Sequence, residues 1–212
     1  PVVIGETHSE TKKVFKRKAT ATGSKIYFAD QGIKNVLESD LKGAYQVHNI
    51  KTVLQSIKVL KDKGFKISDK DLKAGLLKVA NNTGLQGRWQ LLGTEPKIVC
   101  DTAHNKEGLT YVLNQIKNED YNQLHIVFGV VNDKDLERII PLLPKQATYY
   151  FCKPDVQRGL NEELLKSFFE KYQLFGKSFK SVAEALTNAK SNAKKDDLIY
   201  IGGSTFVVAE II

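Results

Sequence analysis

The sequence predicts an α/β protein: a Rossmann-like, mostly parallel sheet with helices on both faces, preceded by a short βαβ remnant of an earlier domain. Short, continuously apolar runs alternate with helical patterns through the later part of the chain. This alternation is typical of parallel strands that are covered on both faces. The chain also opens on a strand–helix–strand pattern with too few strands to be stable alone. We therefore expect the remnant and its connector at residues 1–48 and a complete domain at residues 49–212.

The opening segment carries the βαβ pattern. Its apolar strands are predicted at Val2–Ile4 and residues 25–28, and polar helix formers at residues 9–19 predict the helix between them. The polar, irregular stretch that follows ends in residues 41–48, which we interpret as an edge strand and a connector.

The pattern changes at Asn49. Apolar residues then recur at helical spacing with lysines on the other face, at Ile50, Val53, Leu54, Ile57 and Leu60. This spacing predicts a helix. Ser68 followed by Asp71 is typical of a capping box and predicts a second helix that closes near residues 81–84.

The rest of the chain alternates strand and helix patterns. Apolar runs of strand length occur at residues 98–100, 125–128, 149–151 and 198–201. Helical patterns separate them at residues 109–116, 136–143, 164–169 and 182–193. Ligands of such sheets bind outside the carboxyl ends of the strands. That rule selects the loops at residues 101–105, 129–135, 153–158 and 202–204.

Composition and charge narrow the class of protein. The 212 residues are 42% hydrophobic and 26% charged, which is ordinary globular usage, and no apolar run is long enough to span a membrane. We expect a cytoplasmic protein with no membrane partner. The net charge of +8 comes from scattered lysines without a nucleic-acid-binding motif, so we expect no nucleic-acid partner. Cys100 and Cys152 lie in apolar runs and are predicted to be reduced core thiols.

Two segments near the selected loops could hold an anion. Asp101, His104 and Asn105 lie where a strand gives way to a helix N-terminus, which favours negative charge. The alternative is that Asp101 only caps the helix. Arg88 could hold a phosphate with its bidentate fork, or it could be a surface arginine stacked on Trp89.

A third candidate is the turn Gly202-Gly203-Ser204, which lets the backbone approach a ligand closely. The alternative is a plain βα turn with Ser204 as the N-cap. Gly176-Lys177-Ser178 resembles the end of a P-loop, but Lys171 stands where that loop needs glycine, so we reject it.

We predict no metal site in this chain. The histidines are far apart in sequence, and neither cysteine has a partner at metal-ligand spacing. His125 lies inside an apolar strand and is predicted to be a packed core residue. The run Asp133-Lys134-Asp135 could contact a cation or substrate or simply begin a helix, and its role stays open.

Six segments in this order resemble the folylpolyglutamate synthases and their bifunctional dihydrofolate synthase relatives, a branch of the muramyl-peptide ligase superfamily. They are residues 1–6 and 43–49, residues 86–90 (family P-G-R-F-Q), residues 101–105 (D-G-A-H-N), residues 128–135 (F-G, then D-K-D) and residues 203–204 (G-S). The match runs over nearly the whole chain. It implies that residues 1–48 are the C-terminal remnant of the central ATPase domain and its connector. Residues 49–212 would be the C-terminal Rossmann-like ligase domain.

The sequence departs from the family pattern in a few places. Gln86, Thr102 and Lys106 stand where proline, glycine and proline are usual, which should affect loop conformation more than chemistry. The chain contains no methionine, and the family's P-loop, magnesium ligands and folate pocket are not found in it. We therefore expect a piece of a longer protein, inactive by itself.

The resemblance implies a two-step, ADP-forming ligation. ATP phosphorylates the carboxylate of a pteroate or folate to an acyl phosphate, and the amine of L-glutamate then displaces phosphate. Asn49, Arg88 and Asp101 are expected to bind the nucleotide, with Arg88 on the phosphates and Asp101 on the ribose or aligning Arg88. His104 and Ser204 are the expected catalytic residues, on the glutamate or acyl-phosphate side. The cofactor is ATP with magnesium, whose ligands are expected in the missing N-terminal region.

The implied partners are ATP, L-glutamate, folate or dihydropteroate, and the missing N-terminal ATPase domain, and we expect a monomer. The alternative is a non-catalytic α/β nucleotide-binding or basic interaction module. That alternative predicts salt-sensitive binding to polyanions and no dependence on a folate.

Overall fold

The computed structural model describes residues 1–132 and 135–212. The chain forms two compact units, Pro1–Gly84 and Leu85–Ile212.

The first unit contains the predicted βαβ arrangement. Strands β1 (Val2–Ile4) and β2 (Ile26–Phe28) pair in parallel, and helix α1 (Ser9–Ala21) connects them. The four remaining helices of this unit are α2 (Ala29–Gly32), α3 (Gln46–Asp62), α4 (Asp69–Leu76) and α5 (Val79–Thr83).

The edge strand predicted within residues 41–48 is wrong. The backbone N–H of Gln46 donates to the carbonyl of Gly43 at 2.9 Å, and that of His48 to the carbonyl of Tyr45 at 3.1 Å. Local turn bonds of this kind coil the chain into α3, which therefore begins at Gln46.

The predicted capping box at the start of α4 is confirmed. The Ser68 hydroxyl accepts the N–H of Asp71 at 3.1 Å, and the N–H of Ser68 donates to the Asp71 carboxylate at 3.3 Å. The single helix predicted after it is two helices, and Gly84, with φ 67°, ends the second.

Apolar packing explains where the first unit ends. Ile33 is buried in one cluster with Ile50 and Leu54 of α3 and Leu76 of α4. Helices predicted to belong to the second part thus share a core with the first segment. The predicted boundary after residue 48 does not coincide with the division into units after Gly84.

The second unit is built on a six-stranded sheet in the order β3-β4-β8-β5-β6-β7. The strands are β3 (Gln90–Thr94), β4 (Lys97–Cys100), β5 (Leu124–Phe128), β6 (Thr148–Cys152), β7 (Gly176–Phe179) and β8 (Leu198–Gly202). Of the five pairs that these strands form, β3–β4 is antiparallel and the other four are parallel. The four predicted strands are confirmed. The sequence missed β3 and β7, which lie at the two edges, because half-exposed edge strands need no continuous apolar run.

Helices cover both faces of this sheet, which confirms the predicted fold class. They are α6 (Lys106–Ile116), α7 (Leu136–Ile139) with a 3₁₀ turn at Ile140–Leu142, α8 (Glu162–Glu170), α9 (Val182–Asn192) and α10 (Thr205–Ala209).

Strand β6 shows why the sheet needs two helical layers. Tyr150 is buried in a cluster with Val182 and Ala185 of α9. The next residue, Phe151, places its ring 4.8 Å from that of Phe169 on α8. Successive strand residues point to opposite faces, so a strand buried on both sides is apolar throughout.

His125 of β5 is a core residue, as predicted. It is 4% exposed, its Nδ1 lies 3.0 Å from the hydroxyl of Tyr150 and its Nε2 lies 3.4 Å from a carboxylate oxygen of Asp197. Cys100 and Cys152 are likewise free and buried, as predicted. None of the helices described in residues 1–132 and 135–212 is long and apolar enough to cross a membrane.

Candidate functional site

Three of the loops selected from the sequence follow neighbouring strands of the second unit. Cys100 of β4 pairs with Ile201 of β8, and Gly202 of β8 pairs with Phe128 of β5. The loops after these strands therefore start side by side at the carboxyl edge of the sheet. Gly203 has φ 93°, and a Cβ there would lie 2.7 Å from the carbonyl oxygen of Gly129. Glycine is thus required where these backbones approach.

Hydrogen bonds hold the backbone of the Arg88 loop at the residues before and after the arginine. The N–H of Gly87 donates to the side-chain carbonyl of Gln90 at 2.7 Å. The N–H of Trp89 donates to Oδ2 of Asp101, also at 2.7 Å. Trp89 has φ 49°, an uncommon conformation for a residue with a side chain, so its neighbours must stabilise it. Two side-chain acceptors therefore fix the backbone on either side of the arginine.

The Arg88 guanidinium is half-buried and anchored at one nitrogen. Nη1 donates to the hydroxyl of Thr102 and, at 3.4 Å, to the carbonyl of Gly87. In the part of the chain that the structure describes, Nε and Nη2 donate to no protein oxygen. One edge of the guanidinium is therefore available for a ligand that accepts two parallel hydrogen bonds, as a carboxylate or phosphate does.

Asp101 connects the two loops at this edge. It is 1% exposed, and while Oδ2 accepts from Trp89, Oδ1 accepts the N–H of Ala103 at 2.8 Å. Burial and, secondarily, the charge of Asp101 raise the pKa of the Cys100 thiol to about 12. The carboxylate thus orders the backbone around Arg88. Its predicted role, on the ribose or in aligning Arg88, stays a prediction.

The alternative that Asp101 caps the following helix is wrong. Asn105 is the N-cap of α6, and its Oδ1 accepts the N–H of Gly108 at 2.9 Å. A cap must adjoin the first helical turn, and Asp101 lies too far upstream.

His104 is exposed at the start of this helix. Its Nδ1 lies 3.0 Å from the carbonyl oxygen of Thr102. A carbonyl can only accept, so Nδ1 carries the hydrogen, and in the neutral ring Nε2 presents its lone pair. His104 is therefore placed to accept a proton or a hydrogen bond beside the Arg88 loop.

Ser204 has a local structural role. It is 2% exposed, and its hydroxyl oxygen is the N-cap of α10, accepting the N–H of Phe206 at 3.2 Å. This is the βα turn with a serine cap that the sequence left open as an alternative. A catalytic role for Ser204 stays a prediction.

The fifth predicted site residue lies in the first unit. Asn49 is exposed in the first turn of α3, and its Nδ2 donates to the side-chain oxygen of Gln46 at 2.8 Å. The preceding His48 places Nδ1 3.2 Å from a carboxylate oxygen of Glu6. The structure thus brings Arg88, Asp101, His104 and Ser204 together at one sheet edge of the second unit, with Asn49 in the other unit.

Asp133 and Lys134 of the predicted Asp-Lys-Asp run lie outside the described residues, and Asp135 precedes α7. Among the residues described, no group of three or more His, Cys, Asp or Glu side chains could hold a metal ion.

Sequence reasoning missed two residues whose side chains hold the Arg88 loop. Gln90 and Thr102 hold Gly87 and Arg88, respectively. From the sequence, Thr102 is expected to affect loop conformation more than chemistry. The signal available was its place in the chain, because it replaces the usual glycine immediately after Asp101.

Residues 87–205, more than half of the chain, match the family described as Mur ligase, glutamate ligase domain. The chain belongs to this family. The predicted membership of the muramyl-peptide ligase superfamily is thereby confirmed, and the matched region spans the sheet and all four site residues of the second unit.

Two curated relatives of this Mur ligase domain carry folate-related names. It is 35% identical over 173 residues to a probable bifunctional folylpolyglutamate synthase/dihydropteroate synthase of Haloferax volcanii, covering 80% of this chain and 20% of the relative. It is 28% identical over 159 residues to the dihydrofolate synthase/folylpolyglutamate synthase of Escherichia coli, covering 74% of this chain and 36% of the relative.

Solved structures show the same fold. Mycobacterium tuberculosis folylpolyglutamate synthase complexed with ADP and AMPPCP superposes with a TM-score of 0.85 at 20% identity, over 98% of this chain and 53% of that one. Escherichia coli FolC in complex with DHPP and ADP gives a TM-score of 0.80 at 23% identity, over 100% of this chain and 52% of that one. The Mur ligase chain therefore spans about half the length of these solved proteins, and less of the curated relatives.

Proposed function

We propose that this chain is the C-terminal part of an ATP-dependent, ADP-forming ligase that adds L-glutamate to folate or dihydropteroate through an acyl phosphate. The observation that carries the proposal is the anchored Arg88, whose Nε–Nη2 edge donates to no described protein oxygen. The family match and the names of the relatives favour glutamate ligation over other reactions of anions.

Arg88 is assigned to the phosphates of ATP. The planar fork of its guanidinium matches the spacing of phosphate oxygens. Asp101 acts on Arg88 through the backbone. One of its carboxylate oxygens accepts the N–H of Trp89, next to Arg88, and the other accepts the N–H of Ala103. Asn49 is assigned to the nucleotide on the family resemblance.

His104 is assigned to the glutamate side of the reaction. With Nδ1–H donating to the Thr102 carbonyl, Nε2 can accept a hydrogen bond from an ammonium or amine. Ser204 can donate its hydroxyl hydrogen to an anion while its oxygen serves as the cap.

The proposed reaction has two steps. A carboxylate oxygen of the folate or pteroate attacks the γ-phosphorus of ATP, the bond from that phosphorus to the β–γ bridging oxygen breaks, and ADP leaves. The amine of glutamate then attacks the acyl carbon. The bond from this carbon to the bridging oxygen breaks, phosphate leaves with that oxygen, and the nitrogen gives up a proton. Positioning and charge neutralisation by Arg88 lower the barrier, because charge develops on phosphoryl oxygens in the first step.

We further propose that residues 1–212 do not catalyse this reaction alone. No segment of the sequence fits a P-loop, whose backbone N–H groups and lysine would hold the phosphates. Magnesium would neutralise phosphate charge when bound. The described residues do not form a metal-binding group, so no role in this chain is assigned to it.

The test is carried out on the longer protein that contains this chain. ADP release should require a folate or dihydropteroate, and glutamate incorporation should require all three substrates. ADP release that ignores both folate and glutamate, or strong salt-sensitive binding to polyanions with no turnover, would favour the basic interaction module instead.

A further inference from the structure

We propose that Thr102 is a positioning residue for Arg88, selecting the edge of the guanidinium that is presented to the phosphates. This inference rests on the proposed function, in which Arg88 binds the nucleotide. Thr102 is half-buried in the loop after β4, and its hydroxyl accepts a hydrogen bond from Nη1 of Arg88.

Thr102 is itself held firmly enough to act as an anchor. Its backbone N–H donates to the carbonyl of Gly87 at 2.9 Å, and its carbonyl accepts from Nδ1 of His104 at 3.0 Å. The residue before it, Asp101, is locked by two backbone N–H groups. The hydroxyl therefore projects from a backbone whose position is fixed on both sides.

Anchoring Nη1 determines which N–H donors of Arg88 are available to a ligand. A long arginine side chain has many rotamers, and ordering it costs conformational entropy. The Thr102 hydroxyl occupies the nitrogen on one side of the fork and leaves the Nε–Nη2 edge for a bidentate ligand. Without it, binding phosphate would have to order the side chain as well.

The methyl group of Thr102 has a separate role, in packing. A Cβ on Gly87 would lie 2.8 Å from Cγ2 of Thr102, so the two residues are in close contact. Valine would keep this branched shape and remove only the hydroxyl.

The experiment uses the longer protein and compares Thr102→Val, Thr102→Ser, Arg88→Ala and the double variant Thr102→Val/Arg88→Ala. Thr102→Val should lower kcat/KM for ATP about tenfold, since the lost hydrogen bond involves a charged group. Thr102→Ser, which keeps the hydroxyl, should restore activity to within about twofold of wild type. In the Arg88→Ala background, Thr102→Val should have no further effect, because the residue on which it acts is gone.

Melting temperatures separate positioning from folding. If Thr102→Val melts well below wild type, Thr102→Gly replaces it in both the single and the double variant. Wild-type kinetics for the hydroxyl-free variant, or an effect that adds fully to Arg88→Ala, would overturn the inference while leaving the proposed function intact. Wild-type turnover by Arg88→Ala would instead remove Arg88 from the site, and both proposals about it would fail.

Discussion

The backbone N–H of Trp89 donates to a buried carboxylate oxygen of Asp101 at 2.7 Å, and this bond joins the Arg88 loop to the end of strand β4. Trp89 has a left-handed backbone with φ 49°, so the bond stabilises a conformation that its side chain disfavours. The conformation of the Arg88 loop thus depends on Asp101, twelve positions after Trp89 in the chain.

Asp101→Asn is expected to destabilise the second unit while keeping nearly the same shape. One of the two backbone donors would face an amide N–H₂ instead of an oxygen, and a buried donor without an acceptor costs about 1–3 kcal/mol. Urea unfolding followed by circular dichroism measures this loss. Glu107→Gln, an exposed carboxylate in the same region, is the control and should change little. An unfolding free energy unchanged in Asp101→Asn would contradict the role assigned to this carboxylate.

Arg88→Ala in the longer protein is expected to reduce ATP-dependent glutamate addition strongly. A lost charge-assisted phosphate contact costs about 1.5–3 kcal/mol, or tenfold to more than a hundredfold. Arg88→Lys should recover only part of the activity, because an ammonium lacks the fork. Steady-state assays of ADP release measure both variants, with Arg138→Ala, an exposed arginine on α7, as the matched control. Full turnover by Arg88→Lys would argue against bidentate binding.

The chain of 212 residues is expected to bind ATP only weakly by itself. Without a phosphate-holding loop, affinity should be millimolar at best, about −4 kcal/mol. Calorimetric titration with ATP, and an ADP-release assay with folate and glutamate present, measure the two quantities. Micromolar affinity or steady ADP production would show that the chain is self-sufficient.

The buried network around Asp197 is expected to make stability depend on pH. Burial acts to raise the pKa of this carboxyl. Hydrogen bonds from the N–H of Lys194 at 2.7 Å, from the His125 ring and from the N–H of Gln123 at 3.0 Å outweigh that effect, so the pKa lies below its ordinary value. A lowered pKa in the folded state contributes stability above the unfolded-state pKa of about 3.9, and this contribution is lost as pH falls through the folded-state value.

Asp197→Asn should therefore lower the unfolding free energy more at pH 7 than at pH 3. Urea unfolding at the two pH values measures the difference, and Asp196→Asn, an exposed neighbour, is the control. An equal loss at both pH values would show that the charge of Asp197 is not what stabilises the network.

Residues 85–212 are expected to fold without the first unit. They contain the complete six-stranded sheet and the helices on both of its faces. The measurement is a cooperative urea transition of the isolated segment, with residues 49–212, the domain predicted from sequence, as the comparison. Failure of 85–212 to unfold cooperatively, with success of 49–212, would contradict this expectation and support the predicted boundary after residue 48.

The central strands of the sheet could be predicted from the sequence, whereas the two edge strands could not. Strand β5 is buried on both faces and therefore apolar at almost every position. Strand β3 lies at an edge, and its burial pattern is mixed. The core that Ile33 completes with Ile50 and Leu76 could not be predicted either, because Ile33 looks like an isolated apolar residue in sequence.

The sequence by itself determined the α/β class, the loops at the carboxyl edge and the candidate residues Arg88, Asp101 and His104, because burial periodicity and short motifs are local properties of a chain. Only the tertiary structure decided that Asn105 rather than Asp101 caps α6 and that Asp101 holds Trp89. It also decided that the Thr102 hydroxyl anchors Arg88. These contacts join residues on separate loops, and they exist only once parallel pairing of β4 with β8 and antiparallel pairing of β3 with β4 bring the loops to one edge.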